Sequence, residues 1–362
     1  MRFDVVAKRD LLTVHRWIGI VAGLFLLVQG ISGIVVEWRD ELLAATAPVV
    51  PVGKGGGLAI DTMIGDARRL HPGATIKRFD FPESRDAPAM LRLTEGGVDL
   101  LLFFAPGDGR LISDAPARSY ASEFLYELHA HFMTGPNGRW ILAFASVALL
   151  VLVVTGPWFW WPGRKNIRRA LKVKWKGPPH RLIAELHRVT GVCLFALLGF
   201  TAVSGLTLAM MPEARWLVAS SVTPEIPNAP ASGPLQPLAD TVLQIETTMP
   251  GQNIKSLRFT GADLRGVRAV VAAHGPHSWS IDELWIDRDG GRLIGRRNAE
   301  TAHSGDALLA WVLPVHSWQW AGLPGRLFAV VLGLALMGFS ASGLWMWGRR
   351  KQKGWLLNKS GA

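Results

Sequence analysis

The sequence predicts an α-helical membrane protein: a four-helix transmembrane bundle built from two repeats, each with a small α+β module outside the membrane. Two observations predict this fold class. Four uncharged runs are long enough to cross a bilayer as helices, and they occupy residues 18–36, 140–161, 189–211 and 327–348. Several motifs also occur twice along the 362 residues, in the same order.

The first uncharged run belongs to a retained span, which we place with the short N-terminus at residues 1–36. A cleaved leader would have a shorter apolar region directly before its cleavage site. Here Arg39, Asp40 and Glu41 separate the run from the small residues at 45–47, and Pro48 follows them. We therefore expect no cleavage at this point.

Each span is followed or preceded by a segment with its own pattern. Residues 37–118 predict the first module, with a Pro/Gly linker at 48–57, a helix at 61–70 and strands at 76–81, 89–93 and 98–104. A turn at 107–109 is followed by residues 110–112. An interfacial helix at 120–132 and the second span make up residues 119–162. A basic loop follows at 163–181.

The second half has the same order of elements. The third span covers residues 182–211, and the second module covers 212–303. That module has a linker at 224–237, a helix at 240–248 and strands at 254–260, 267–272 and 284–286, followed by the segment 290–294. A short helix at 307–320 and the fourth span make up residues 304–348, and a basic tail covers 349–362.

The repeat is visible in the spacing of shared motifs. His15 and His187 are each followed by Arg, by Gly four residues on, and by Ser-Gly 17 and 18 residues on. His129 and Arg139 recur as His316 and Arg326, both 187 residues later. Two equivalent halves predict a bundle with a pseudo-two-fold axis along the membrane normal.

The charge is uneven along a chain whose formal net charge is +11. Basic residues are concentrated before the first span, in the loop at 163–181 and in the tail, and such segments stay in the cytoplasm. We therefore expect both termini inside and both modules outside, with the basic segments contacting anionic membrane lipids. Nucleic-acid binding by the basic loop is the weaker interpretation, and we expect no nucleic-acid partner.

Four histidines fit the repeat: His15 and His187 at the inner membrane boundary, His129 and His316 at the outer one. Two imidazoles facing each other across an axis can supply both axial ligands of a haem iron. They could also supply half of a tetrahedral zinc or copper site, or serve as interfacial polar residues without a ligand. Neither level has repeated Cys, Met or carboxylate partners to complete such a metal site, which favours a haem at each level.

Other residues support a planar, anionic ligand at these positions. Gly19 and Gly191 leave a space without a side chain one helical turn from His15 and His187. The arginines beside or near the four histidines can pair with haem propionates, and they are Arg16, Arg188, Arg139 and Arg326. His131 is the alternative ligand at the outer level.

The spans with His-Arg-x-x-Gly and Ser-Gly, the helix carrying His129 and the paired modules resemble the PepSY-associated transmembrane family, also called PiuB-like. The resemblance covers nearly the whole chain. It implies PepSY-like periplasmic modules and a multi-pass bacterial inner-membrane protein with two haem b groups. It also implies an oxidoreductase that reduces periplasmic ferric siderophore, with hydroxamate chelates favoured, and releases Fe(II).

Two further expectations concern partners and the competing class of function. No Gly-x-Gly-x-x-Gly motif follows a predicted strand, so electrons should come from a separate donor, either a quinol or a cytoplasmic reductase. The alternative functions are a siderophore or iron-uptake permease and a PepSY-type regulatory protein without redox activity. A permease would favour broken or polar helices at mid-membrane, whereas these four runs are uncharged.

Overall fold

The computed structural model describes residues 2–50, 58–84, 86–218, 234–261, 263–272, 281–299 and 302–360. The predicted linkers at 48–57 and 224–237 lie largely outside the described residues, as do His274 and His277.

Within these residues the chain forms α-helices and β-strands in the following order: α1 Arg2–Val36, α2 Arg39–Thr46, α3 Ile60–Leu70, β1 Thr75–Asp80, β2 Ala89–Glu95, β3 Val98–Phe104, β4 Leu111–Pro116, α4 Ala121–His131, α5 Gly138–Trp160, α6 Ile167–Ala170, α7 Pro179–Ala209, α8 Met211–Leu217, α9 Leu238–Thr248, β5 Ile254–Thr260, β6 Gly266–Ala272, β7 Ile281–Asp287, β8 Arg292–Arg297, α10 Ser304–His316 and α11 Gly322–Ser360. These elements divide into two compact units. The helical unit is built from 1–38, 125–217 and 310–362, and the sheet unit from 39–124 and 218–309.

The helical unit confirms the four predicted spans. Four stretches of the described residues are long and apolar enough to cross a membrane: Arg9–Val36, Gly135–Trp160, Pro179–Ala209 and Gln319–Arg350. Helix α1 packs against both α5 and α11, and α7 also packs against both. The four long helices therefore form a closed four-helix bundle.

Small residues allow the bundle helices to approach closely. Ala22, Ala145, Ala148 and Ala202 are buried at its centre. On α1, a Cβ atom at Gly30 would lie 2.9 Å from the carbonyl oxygen of Gly333 on α11. A side chain would fit at neither side of this crossing, so the two glycines set the distance between α1 and α11.

The sheet unit contains one eight-stranded antiparallel sheet, with the strand order β4-β3-β2-β1-β5-β6-β7-β8. Strands β1 and β5 join its two halves, with Phe79 opposite Leu257 in register. The motifs predicted each group of strands, but they did not predict that both groups belong to one sheet.

Helices α3 and α9 contribute to the hydrophobic core on one face of this sheet. Met63 of α3 and Ile245 of α9 are fully buried in the same cluster as Phe79 and Leu257. Asp61 links the two helices, because its carboxylate accepts hydrogen bonds of 2.8 and 2.9 Å from the backbone N–H groups of Leu238 and Ala239. These N–H groups begin α9 and have no partner within the helix.

One predicted boundary is wrong. The pattern predicts a helix through Trp320, but α10 ends at His316. Trp318 has a φ of 59°, in the left-handed region, and a 3-10 turn follows at Gln319–Ala321. A left-handed residue cannot continue a right-handed helix, so the chain turns directly after His316.

Candidate functional site

His15 and His187 line the same apolar cavity in the helical unit. The cavity has a volume of about 320 Å³ and lies among α1, α5, α7 and α11. Gly19 and Gly191 also line it. A Cβ atom at either glycine would meet its nearest neighbour at 3.7 or 3.8 Å, which is ordinary van der Waals contact.

Each histidine of this pair is held by a hydroxyl group on a neighbouring helix. His15 Nδ1 lies 2.9 Å from the hydroxyl oxygen of Thr155, and His187 Nδ1 lies 2.7 Å from that of Ser342. The edge of an aromatic ring flanks each imidazole, with Phe159 at 5.3 Å from His15 and Phe339 at 5.4 Å from His187, centroid to centroid. These contacts fix the plane of each ring.

His129 and His316 form a second pair, with ring centroids 6.4 Å apart. Hydroxyl groups hold these rings as well: Ser32 lies 3.0 Å from His129 Nδ1, and Ser204 lies 3.1 Å from His316 Nδ1. Two imidazoles on opposite sides of one metal ion, at metal–nitrogen distances of about 2 Å, have centroids roughly 6 Å apart. The observed separation matches that arrangement.

The hydroxyl groups determine the protonation of all four rings. Each hydroxyl donates its only proton to a backbone carbonyl one turn earlier on its own helix, at Val151, Gly338, Val28 and Phe200. Such a hydroxyl can only accept from the histidine, so each Nδ1 carries the ring proton and donates it. Each Nε2 then keeps a lone pair, the state that a metal-binding imidazole needs.

Glycines beside the hydroxyl residues make room for the imidazoles. A Cβ atom at Gly33 would lie 3.1 Å from His129 Cε1, and one at Gly205 would lie 3.1 Å from His316 Cε1. At the other pair, a Cβ atom at Gly156 would lie 3.4 Å from His15 Cε1. The Ser-Gly motif of the sequence therefore has two functions, since Ser orients the ring and Gly admits it.

The four predicted arginines fall into two groups. Arg16 and Arg188 are exposed and line the cavity of the His15/His187 pair, together with Arg350. Arg139 instead forms an ion pair of 3.0 Å with Glu213, and Arg326 one of 3.1 Å with Glu37. The pairing of all four with propionates remains a prediction.

Among the described residues, no group of three or more His, Cys, Asp or Glu side chains could hold a metal ion. Zinc and copper sites in proteins draw three or four ligands from the chain. Paired imidazoles without further ligands therefore fit a metal that brings its own equatorial ligands, as a haem iron does.

Comparison with known protein families finds one family model that matches most of the chain. The model of the PepSY-associated TM region matches residues 12–350, which include the four uncharged runs and the strands of the sheet unit. The chain belongs to this family. The match confirms the resemblance inferred from the motifs, and no curated protein matches the chain.

In this PepSY-associated chain, His131 has a different environment from His129. Its Nδ1 lies 2.8 Å from the carboxylate of Glu127, one turn earlier on α4, and its side chain is 39% exposed. Ser32 contacts His129 rather than His131. The geometry thus favours His129 over the alternative ligand.

The motifs gave no role to Thr155, Ser342, Ser32 and Ser204. The sequence repeat could have identified Thr155 and Ser342, because Thr155-Gly156 and Ser342-Gly343 are separated by the same 187 residues as His129 and His316. Ser32-Gly33 and Ser204-Gly205 were visible as a motif, but sequence could not show that they contact the histidines of α4 and α10.

Proposed function

We propose that this PepSY-associated membrane protein is a b-type dihaem protein of the bacterial inner membrane, which moves electrons across the membrane to reduce periplasmic ferric siderophore. One observation carries the proposal. Two pairs of histidines have Nδ1 within hydrogen-bond distance of a Ser or Thr hydroxyl, an arrangement that leaves Nε2 of each ring for a metal.

The residues present fit two haems. His15 and His187 would hold one iron, with Arg16 and Arg188 beside the propionates, and His129 and His316 would hold the other. A bound haem supplies one-electron transfer with little change in geometry. The chain fixes the imidazole planes through the four hydroxyls and surrounds the first pair with apolar side chains, which exclude water.

Two features bear on the membrane orientation and the donor. The basic segments at the N-terminus, at 163–181 and in the tail favour a cytoplasmic position, which places the two strand-bearing segments in the periplasm. Among the described residues the sheet is wholly antiparallel, unlike the parallel sheet of dinucleotide-binding domains. A separate quinol or cytoplasmic reductase is therefore proposed as donor.

We also propose that the two halves of the chain are one structural repeat. Strands β4 to β1 and β5 to β8 occupy mirrored places in the sheet order, and α3 and α9 pack against each other. Each histidine lies within hydrogen-bond distance of a Ser or Thr of its own half, and these partners occupy equivalent places in the two halves. This symmetry supports one haem for each histidine pair.

The proposed substrate is a ferric hydroxamate siderophore, as the family resemblance implied. Hydroxamate oxygens are hard ligands that hold Fe(III) tightly and Fe(II) weakly, so the gain of one electron releases the metal.

The first test is haem content. A pyridine-haemochrome assay on fully loaded protein should give about two haems per chain, since there are two pairs of axial ligands. His15→Ala and His187→Ala should each lose one haem, and His129→Ala and His316→Ala the other. His131→Ala is the matched control and should keep both. Wild-type protein without haem would contradict the proposal and favour a permease or a regulator.

The second test is the acceptor. Dithionite-reduced protein should reoxidise under anaerobic conditions when mixed with a ferric hydroxamate siderophore, with Fe(II) trapped by ferrozine. Reoxidation by other acceptors but by no ferric siderophore would leave the haem assignment standing and exclude the substrate.

A further inference from the structure

Four arginines lie side by side on one face of the sheet. Arg92, Arg78, Arg258 and Arg268 are direct cross-strand partners on β2, β1, β5 and β6. Their chain neighbours, including Phe79 and Leu257, lie in the core with α3 and α9, so the arginines occupy the opposite face. Like charges directly opposite each other destabilise a sheet. A row of four is therefore costly for folding.

Carboxylates form ion pairs with three of the four arginines in this row, and Arg258 is the exception among the described residues. Glu123 accepts hydrogen bonds from Arg92, Asp80 forms an ion pair with Arg78, and Glu283 lies 3.7 Å from Arg268. Among the described residues, no carboxylate lies within ion-pair distance of Arg258. Burial and the nearby charges of Arg268 and Arg78 lower the pKa of Arg258, and the charges of Glu283 and Asp80 offset this only in part.

Unpartnered polar atoms lie next to the middle of the row. Ser256, directly opposite Asp80, is 1% exposed, and its hydroxyl oxygen has no hydrogen-bond partner among the described residues. The Nε atom of Arg78 and one carboxylate oxygen of Asp80 are likewise buried without a hydrogen-bond partner there, and this oxygen lies 3.8 Å from Nε of Arg92. Buried polar groups are normally hydrogen-bonded. Two of these three groups can donate, which suits an anionic ligand.

We propose that the arginine row, with Ser256, is a binding site for a small ligand that carries two or more carboxylate groups. Neighbouring strands are about 4.8 Å apart, so four arginines extend over roughly 14 Å, which is more than a single carboxylate can contact. The guanidinium group donates two parallel hydrogen bonds to a carboxylate. The site itself does not rest on the proposed function. Only the idea that it admits a second class of electron acceptor, a ferric polycarboxylate beside the ferric hydroxamate, does so.

The test is calorimetric titration of the full-length protein in detergent with citrate, and with acetate at the same ionic strength. We expect citrate to bind, acetate to bind far more weakly, and Arg258→Gln to bind citrate about tenfold more weakly, because a charged hydrogen-bond donor is lost. Lys77→Gln is the matched control, because it removes an exposed positive charge from β1 outside the row, and it should bind citrate as the wild type does.

Thermal unfolding separates a binding role from a structural one. Without citrate, the Tm of Arg258→Gln should equal or exceed that of the wild type, since the substitution relieves repulsion in the row. Citrate should raise the Tm of the wild type and of Lys77→Gln, but not that of Arg258→Gln.

Three outcomes would overturn the site: no citrate binding by the wild type, equal citrate affinity in Arg258→Gln and Lys77→Gln, or a lower Tm for Arg258→Gln with binding retained. Citrate binding by a protein that never takes up haem would refute the proposed function and keep this site. Haem-loaded protein that binds no citrate would refute this site and leave the proposed function standing.

Discussion

At the scale of single residues, a hydroxyl group decides which nitrogen of each histidine is free. Thr155 donates to the carbonyl of Val151 at 2.7 Å and so can only accept from His15. The hydroxyl of Thr155 thus acts once as a donor and once as an acceptor. Moving the ring proton of His15 from Nδ1 to Nε2 would therefore cost one of these hydrogen bonds. The hydroxyl is thus a positioning group for the nitrogen proposed to bind iron.

Thr155→Val tests this role with nearly the same side-chain volume. The Nδ1–H of His15 would lose its acceptor, and haem affinity at the His15/His187 pair should fall about 10- to 100-fold, as is usual for a lost hydrogen-bond partner of a metal ligand. Haem titration followed by absorbance measures the change.

Thr207→Val is the matched control, because Thr207 bonds the carbonyl of Val203 at 2.9 Å on an exposed part of α7. It should keep the wild-type affinity. Equal affinities for Thr155→Val and Thr207→Val would show that the hydroxyl of Thr155 does not position His15.

At the scale of elements, glycine sets how closely α1 and α11 pack. Gly30→Ala would place a Cβ atom 2.9 Å from Gly333 O and 3.1 Å from Met337 N, which are backbone atoms that cannot rotate away. We expect a loss of about 1–3 kcal/mol in the free energy of unfolding, as for other overpacked sites.

Unfolding of detergent-solubilised protein measures this loss, with Gly338→Ala on α11 as the control. A Cβ atom at Gly338 would meet nothing within 4 Å, so alanine there should leave stability unchanged or raise it by up to about 1 kcal/mol through helix propensity. If both substitutions had the same effect, the close crossing at Gly30 would be refuted.

An ion-pair network joins α2, β2 and α4 within the sheet unit. Glu123 accepts hydrogen bonds from Arg39 at 2.9 Å and from Arg92 at 2.6 Å, and its side chain is 5% exposed. Burial alone would raise the pKa of Glu123, but the hydrogen bonds from Arg92 and Arg39 outweigh it and lower the pKa from 4.5 to about 2. The ionised carboxylate therefore stabilises the folded state.

The pH dependence follows from the sign of this shift. A lowered folded pKa gives stability that is complete above the unfolded pKa of 4.5 and is lost as the pH falls toward 2. Glu123→Gln should cost about 3–5 kcal/mol at neutral pH, because it removes the buried carboxylate that accepts hydrogen bonds from both arginines, and it should flatten the decline below pH 4.5.

Denaturant unfolding at several pH values measures this effect. Asp66→Asn is the control, since Asp66 pairs on the surface with Arg69, whose side chain is 78% exposed, and should cost no more than about 1 kcal/mol. Equal losses for the two substitutions would refute a stabilising role for the buried network.

At the scale of the whole molecule, the orientation in the membrane can be tested by cysteine labelling, because the chain has a single native cysteine that can be replaced. Cys193→Ser gives a cysteine-free background, in which Lys77→Cys reports on the sheet unit and Lys172→Cys on the basic loop. In intact spheroplasts, a membrane-impermeant maleimide should label the first and not the second, because the basic loop stays in the cytoplasm. Permeabilised cells should label both, and the reverse pattern would place the sheet unit in the cytoplasm.

The sequence by itself determined the parts of this protein that depend on local pattern. Uncharged runs of 19 to 23 residues predicted the four spans, since only the length and polarity of a segment decide whether it can cross a bilayer. Alternating residues predicted strands such as Ile254–Thr260, which the structure confirms. Repeated motifs identified His15, His187, His129 and His316 as candidate ligands. The same motifs indicated the PepSY-associated family.

Only the tertiary structure decided what these elements do together. His15 meets Thr155 across 140 positions of sequence, and Arg78 lies opposite Arg258 through the pairing of β1 with β5. No local pattern encodes which strand is the neighbour of β1, so the single sheet and its arginine row could not be predicted. Nor could the end of α10 at His316, because the left-handed Trp318 packs on Phe328 of α11 with ring centroids 4.8 Å apart, a contact that overrides the helical pattern.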